Sequence, residues 1–316
     1  MIMTKVLLVG AGSMARSYFD VLQFLEIDFD IVCRTEASAR YFEQERDFKP
    51  VIGGLAEYLE SNTAPSHAIV AVGVESLASA TLSLLSAGVK EILVEKPSSL
   101  YQEELNSLVM LAQREASSVY VAYNRRFYSS VERLSEIVSS DGGLRSISFD
   151  FTEWSDRIAP LEKGEGVKQR WLLSNSTHVI DLAFYLAGRP KELTAFSVGQ
   201  LDWHQSSACF TGSGVTENGI LFNYRADWDA PGRWGLKAYT KNYRLELSPL
   251  ESLIVTERNS VSAIDVVLDD GIDRNFKPGL VKQVQAFLGG NDAALCSIDE
   301  QLAHYPFYIQ MAGYEN

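Results

Sequence analysis

Val6–Val9 is an unbroken apolar run that stops at Gly10-Ala11-Gly12-Ser13-Met14-Ala15, after which Phe19, Leu22 and Leu25 recur at helical spacing. A short apolar run closed by glycine reads as a strand buried on both faces of a parallel sheet, and the change of period at the glycines reads as strand, tight turn and helix. Each small residue in the G-x-G-x-x-G/A spacing has a physical reason. The first glycine turns the chain, the second lets a pyrophosphate approach the backbone, and the small third residue lets the helix lie close to the sheet. Backbone N–H groups at the helix start then face the phosphates. The feature predicts a Rossmann βαβ unit with Gly10, Gly12, Ser13, Met14 and Ala15 against a dinucleotide.

The alternation continues, with strands over 30–33, 68–72, 92–94 and 119–122 separated by helical segments over 36–45, 76–86 and 103–116. Strands alternating with helices imply parallel pairing through right-handed crossovers. Sites for NAD usually place an Asp or Glu at the end of the second strand, where it accepts from the ribose 2′-hydroxyl. This chain has Cys33-Arg34-Thr35 there. Arg34 pairs with a 2′-phosphate and Thr35 donates to it, so the reading prefers NADP, while Glu36 keeps NAD possible.

After Asn124 the pattern changes. Residues 145–154 alternate strictly, with Ile147, Phe149 and Phe151 on one side and Ser148, Asp150 and Thr152 on the other, as in a sheet with one wet face. Further strands are expected over 195–198, 208–211, 220–225, 244–247, 252–256 and 263–268. Helices are expected after Asn175, from Gly279 and from Ser297. The expected fold class is α/β plus α+β: an N-terminal Rossmann dinucleotide-binding domain over 1–123, then a C-terminal domain over 124–316 with a mostly antiparallel open sheet for substrate binding and oligomerisation. A length of 316 residues suits two cores, and 46% hydrophobic residues suffice to build them. The apolar parts of the sheet's outer face are expected to join copies into a homodimer or homotetramer.

A net charge of -13 argues against nucleic acid and anionic membrane as partners. No stretch approaches the roughly 18 apolar residues of a membrane span. The first apolar run is cut by Gly10 before a signal-peptide core forms, so the chain reads as soluble and unprocessed. Three cysteines, Cys33, Cys209 and Cys296, lack C-x-x-C spacing and cannot all pair, which fits a reducing cytoplasm. His67, His204 and His304 match no metal-ligand spacing, and no metal is expected.

Val94-Glu95-Lys96-Pro97 closes one predicted buried strand and Tyr123-Asn124-Arg125-Arg126-Phe127 closes another, at the carboxyl edge where ligands of open α/β sheets collect. As bare pattern, the plainer reading of the first is a surface cation followed by a turn former. Taken in order, GAGSMA, EKP, NRRF and the segment THVIDLAFYLAG at 177–188 resemble the glucose-fructose oxidoreductase, inositol dehydrogenase and rhizopine-catabolism dehydrogenase family over nearly the whole chain.

The resemblance implies hydride transfer between a nicotinamide dinucleotide and a carbon of a sugar, sugar acid, inositol or nucleotide-sugar. It implies Lys96 on the reacting oxygen, Glu95 and Pro97 beside the cofactor, and His178 as the acid/base. Asn124, Arg125, Arg170, Trp171, Ser174 and Asn175 would surround the substrate. A histidine titrating near neutrality and a lysine cation suffice to handle the hydroxyl proton and a negative oxygen.

Several alternatives stay open. Asp181 shares a helix face with His178 and either orients its ring, caps the helix or serves a domain contact. Arg170 and Trp171 read equally well as a buried indole beside a salt-bridged arginine. Many family members carry Asp four residues before the histidine, where this chain has Ser174, and serine is no carboxylate base. A non-catalytic dinucleotide-binding regulatory or sensing protein is the alternative class, since fold does not set function. Lys96 and His178 favour catalysis. Finally, Arg125, Arg126, Lys168 and Arg170 suggest a substrate bearing a carboxylate or phosphate. Surface pairing of these cations with Glu162, Glu165 or Asp156, or their contact with the cofactor, is the equal alternative.

Overall fold

The computed structural model describes residues 5–314, and the part of the chain-start reading that falls on residues 1–4 lies outside them. In chain order the first elements are β1 (Val6–Val9), α1 (Ser13–Phe24), β2 (Phe29–Cys33), α2 (Glu36–Arg46), β3 (Val51–Ile52), α3 (Gly54–Ser61), β4 (His67–Val70), α4 (Leu77–Ser86), β5 (Glu91–Glu95), α5 (Gln102–Glu115) and β6 (Ser118–Ala122). The strands pair in parallel in the order β6-β5-β4-β1-β2-β3. Val6, Leu7, Leu8, Ile92, Leu93 and Val94 are fully buried, as double-faced burial demands. Phe19 on α1 lies edge-on to Phe29, Phe42 and Phe48, at centroid distances of 5.6, 5.4 and 5.5 Å, and so clamps α1 and α2 against β2. Burial of each such ring contributes about 1.5–3 kcal/mol. The short β3 and α3 were not anticipated, because two half-exposed residues carry no readable period.

The second stretch comprises α6 (Ser129–Ser140), β7 (Ser146–Phe151), α7 (Ser155–Ile158), α8 (Thr177–Ala187), β8 (Pro190–Val198), β9 (Cys209–Thr216), β10 (Leu221–Asp227), β11 (Trp234–Tyr239), β12 (Tyr243–Leu247), β13 (Ile254–Glu257), β14 (Ala263–Asp265) and α9 (Gly271–Asn275). Its eight strands run in the order β14-β13-β12-β11-β7-β10-β9-β8, all antiparallel except β7 with β10. The alternation in β7 sets the faces. Ile147, Phe149 and Phe151 turn inward with Phe222, Tyr224 and Leu236, and Phe149 meets Phe184 of α8 at 6.1 Å. On the other face Ser148 donates to Asn223 at 2.8 Å, and Phe196, Val198 and Leu221 are exposed. The sequence reading omitted α6, whose serine-rich segment buries little apolar surface, and β11, which glycine interrupts.

The chain ends with α10 (Leu280–Gly289), β15 (Cys296–Ser297) and α11 (Ile298–Ala312). The structure divides into two compact units, and the division differs from the expected boundary. Asn275–Leu302 belongs with the residues up to Ala122, whereas Tyr123–Arg274 and the residues from Ala303 form the second unit. The cause is pairing and packing. β15 adds antiparallel to β6 through Cys296 and Val121, as the seventh strand of the first sheet. Phe276 meets Phe24 of α1 at 4.8 Å, and Phe287 of α10 meets His67 at 5.6 Å. Cys33, Cys209 and Cys296 carry no disulfide. No helix among the described residues is long and apolar enough to cross a membrane.

Candidate functional site

In the first unit the carboxyl ends of β1, β2 and β4 open on a cavity of about 630 Å³. Gly10 ends β1 with φ +122°, and a Cβ there would stand 2.3 Å from the Ala71 carbonyl oxygen, so both conformation and the crossing of the neighbouring strand require glycine. Gly12 differs. Its φ of -77° suits any residue, and a Cβ would meet nothing within 4 Å. The fold does not demand this glycine; its missing side chain keeps open the space over the start of α1. No side chain caps that helix start and no acid lies in its first turn, which leaves the N–H groups of Gly12, Ser13 and Met14 for an anion. Ala15 is fully buried, as close helix-sheet contact requires.

The β2 end supplies Arg34, Thr35 and Ser38 to the same cavity. Thr35 caps α2 by accepting from Ser38 N–H at 3.2 Å and donates to the Ser38 hydroxyl at 2.8 Å. Glu36 pairs instead with Arg40 of its own helix at 2.6 Å. The sequence reading missed the facing wall, formed by Val72, Gly73, Ser76 and Ser79 after β4. A backbone loop of small residues carries no titratable signature by which to find it.

Glu95, at the end of β5, is buried and accepts from the Tyr18 hydroxyl at 2.8 Å. Burial, reinforced by the Glu95 carboxylate, holds the Tyr18 phenol well above its ordinary range, so it remains a donor. Gln301 donates to the Pro97 carbonyl at 3.0 Å, and Ser98 N–H to that of Glu95 at 3.0 Å. Lys96 thus sits half-buried on a turn fixed on both sides. These groups match what a dinucleotide needs: an open glycine, an uncapped helix start, a cation at the second strand and a lysine at the sheet's carboxyl edge.

In the second unit a single 3₁₀ turn, Asn124–Phe127, follows β6. Arg126 donates through Nε and Nη2 to both carboxylate oxygens of Asp181, at 2.9 and 2.6 Å, with both side chains buried. This two-point pair ties the turn to α8 and gives Asp181 a structural role. His178 is buried, with its ring 6.0 Å from Tyr123 and 6.0 Å from Trp234. Arg125 lies over Trp234 at 4.8 Å and donates to the buried Asn124 amide oxygen at 3.3 Å.

Immediately before α8 the backbone widens into a π-turn, Leu172–Ser176, a form that often marks functional positions. The Ser174 hydroxyl lies 3.2 Å from the Val167 carbonyl oxygen and 3.3 Å from that of Trp171, so it is spent on the backbone. The carboxylate at this turn is Glu153, which the sequence reading missed. It is buried, accepts from Asn175 at 2.9 and 3.1 Å, and accepts from Ser176 at 2.7 Å.

Glu153 also lines a cavity of about 250 Å³, together with Arg125, Trp154, Arg157, Arg233 and Trp234. Asn124, Arg170, Trp171, Ser174 and Asn175 are not among the residues that line it. Arg170 donates to the Tyr305 hydroxyl at 3.1 Å and lies over Tyr314, and the buried Trp171 ring is edge-on to Trp203 at 5.8 Å. Lys168 donates to the Ala159 carbonyl at 2.7 Å. Arg170 and Trp171 pack in an aromatic cluster, and of Arg125, Arg126, Lys168 and Arg170 it is Arg125 that lines this cavity.

Residues 4–123 match the model of the oxidoreductase family described as an NAD-binding Rossmann fold. Scyllo-inositol 2-dehydrogenase (NADP(+)) IolW of Bacillus subtilis (strain 168) is 27% identical over 187 residues, which cover 57% of this chain and 50% of the relative. The match thus spans about half the length of that curated relative. UDP-N-acetylglucosamine 3-dehydrogenase GnnA of Acidithiobacillus ferrooxidans superposes with a TM-score of 0.78 at 15% identity, over 100% of this chain and 99% of that one. An oxidoreductase of Agrobacterium radiobacter, solved with NAD+, L-tartaric acid and magnesium, gives 0.79 at 14% identity over 97% and 94%. At these identities the solved structures speak for the fold.

Proposed function

We propose that this chain, whose residues 4–123 match the oxidoreductase family with an NAD-binding Rossmann fold, transfers a hydride between a nicotinamide dinucleotide, NADP in preference to NAD, and a CH–OH carbon of a sugar, sugar acid, inositol or nucleotide-sugar. The observation that carries this reading is the cavity where Gly12 leaves open space at an uncapped helix start and Arg34 and Thr35 stand at the second strand. Glu36, which kept NAD possible, is engaged by Arg40, and this supports NADP. The names of an NADP-dependent inositol dehydrogenase and a nucleotide-sugar dehydrogenase among the relatives support the substrate class.

Bound in that cavity, the dinucleotide supplies or accepts the hydride. Gly10, Gly12, Ser13 and Met14 hold its phosphates, and Glu95 and Pro97 shape the turn beside it. Lys96 hydrogen-bonds the reacting oxygen and stabilises negative charge there. His178 takes the hydroxyl proton in oxidation and returns it in reduction. Asn124, Arg125 and Asn175 belong to the substrate side, with Glu153 fixing Asn175. The exposed Phe196, Val198 and Leu221 favour a homodimer or homotetramer through the second sheet, which sedimentation equilibrium tests. Three cysteines without a disulfide accord with a reducing cytoplasm, which fractionation of cells tests.

Fluorescence titration with NADPH and NADH, followed by a screen of their oxidation against keto sugars, tests the main reading. Arg34→Ala is expected to weaken NADPH roughly ten- to a hundredfold, as the loss of a charged hydrogen bond of about 1.5–3 kcal/mol implies, and to change NADH little. Tighter binding of NADH by the wild type would remove the NADP preference.

A further inference from the structure

Arg157 on α7 and Arg233 just before β11 share one wall-lined cavity with Arg125, although they come from separate segments. Neither the Arg157 nor the Arg233 guanidinium has a hydrogen bond or ion pair among the described residues. Arg40, Arg189 and Arg274 pair with Glu36, Glu217 and Asp270, whereas the exposed Arg145 and Arg258 stand without such a partner among the described residues; what sets Arg157 and Arg233 apart is that they share one cavity. In a chain with 41 acidic and 28 basic residues, two arginines left unpaired on one cavity call for an anion. The carboxylates beside them do not fill that role. Glu153 is occupied by Asn175 and Ser176, and Glu251 is exposed and alone against three cations.

Trp154, Ile158, Trp234 and Leu250 make much of the remaining wall apolar. Trp154 is 56% exposed, yet its indole N–H is fixed to the Gly232 carbonyl at 2.8 Å, and the Trp234 ring carries Arg125 at 4.8 Å. An exposed indole held in place is a surface for the C–H face of a ring, because aromatic bodies bury apolar area at little entropic cost. A second cavity of about 490 Å³ shares Glu153, Trp154 and Arg157 with the first, so Arg157 stands where the two adjoin.

We propose that the substrate is a ring-shaped polyhydroxy compound bearing a carboxylate or phosphate, that Arg157 and Arg233 bind this anionic group, and that Trp154 and Trp234 take the ring. The proposal rests on the oxidoreductase reading above and names its substrate class. Arginine suits the task because its planar fork donates two parallel hydrogen bonds to either anion. No local sequence motif marks Arg157 or Arg233.

The test uses the full chain saturated with NADP+ and the probes glucose, glucuronate and glucose 6-phosphate, with galactose and galacturonate as a second matched set, in calorimetric titration and in turnover. An acidic member is expected to bind at least tenfold more tightly than its neutral partner, and its carboxylate or phosphate identifies which anion is read. In Arg157→Ala/Arg233→Ala that margin disappears, and the lysine pair Arg157→Lys/Arg233→Lys restores part of it. Equal affinity for neutral and acidic members overturns the proposal, as does an unchanged margin in the double alanine variant or no acidic probe binding at millimolar concentration. Arginine-dependent binding without any dinucleotide turnover would keep this site and remove the oxidoreductase reading. Turnover of neutral sugars indifferent to both arginines would do the reverse.

Discussion

Gly10 and Gly12 stand two residues apart in one motif and are glycine for different reasons. At Gly10 a positive φ and a carbonyl 2.3 Å from any Cβ make the residue part of the fold. Gly10→Ala is expected to lower stability by at least the 1–3 kcal/mol or so of backbone strain, read as a drop in the urea midpoint. At Gly12 the backbone is ordinary and the space is empty, so Gly12→Ala should leave the midpoint unchanged or slightly raised and weaken NADPH at least tenfold. A Gly12→Ala protein that loses stability but keeps NADPH affinity would show that the space serves packing. At this scale the local motifs were legible as candidates: the glycines, Arg34, Lys96 and His178 each sit in a run that singles them out. Glu153, Arg157 and Arg233 were not. They lie on three segments, and the register that sets Trp234 opposite Phe151 brings Arg233 to the end of β7, which no local pattern encodes.

Among elements, the connection of the 3₁₀ turn to α8 depends on Arg126 and Asp181, 2% and 0% exposed. Removing one partner strands a buried charge, so Asp181→Asn is expected to cost about 3–5 kcal/mol in urea denaturation, whereas Arg126→Met/Asp181→Leu recovers most of it. Equal loss in the single and double variants would contradict a pairing role. A second tie joins β8–β9 to the chain end. The His204 ring meets the Ser207 carbonyl at 2.7 Å through Nδ1 and the Tyr314 hydroxyl at 2.8 Å through Nε2, while Tyr314 accepts from Leu172 N–H at 3.2 Å. Nδ1–H donates to the Ser207 carbonyl, and the Tyr314 hydroxyl donates to Nε2 of the neutral imidazole that burial favours. Burial holds His204 below its ordinary pKa, so the unfolded chain takes the proton first as pH falls. The His204 contribution is full above about pH 6.5, the unfolded value, and is lost as pH drops toward the lower folded value. His67, also lowered by burial, adds to the same slope. The melting temperature of His204→Phe should consequently fall less steeply than that of the wild type between about pH 7 and 5; parallel curves would exclude the tie as the cause. Helix α8 was readable from its own period, but the π-turn before it was not, since the insertion of one residue leaves hydrophobic spacing almost unchanged.

For the whole molecule, the change from alternating strands and helices to alternating side chains near Asn124 located the passage between the two sheets, while the return of Asn275–Leu302 to the first unit escaped notice. The reason is that α10 and β15 declare an apolar face and a two-residue strand, and neither names the sheet that will cover it. The central claim is hydride transfer with Lys96 and His178 at the reacting oxygen. Its most direct measurement is kcat together with NADPH affinity for wild type, Lys96→Met and His178→Ala on a substrate found in the keto-sugar screen. The account predicts that each variant retains the wild-type NADPH affinity within a few fold and loses about 10² to 10⁴ in kcat. Variants that turn over at the wild-type rate, or a wild-type protein that binds neither NADPH nor NADH, would contradict it.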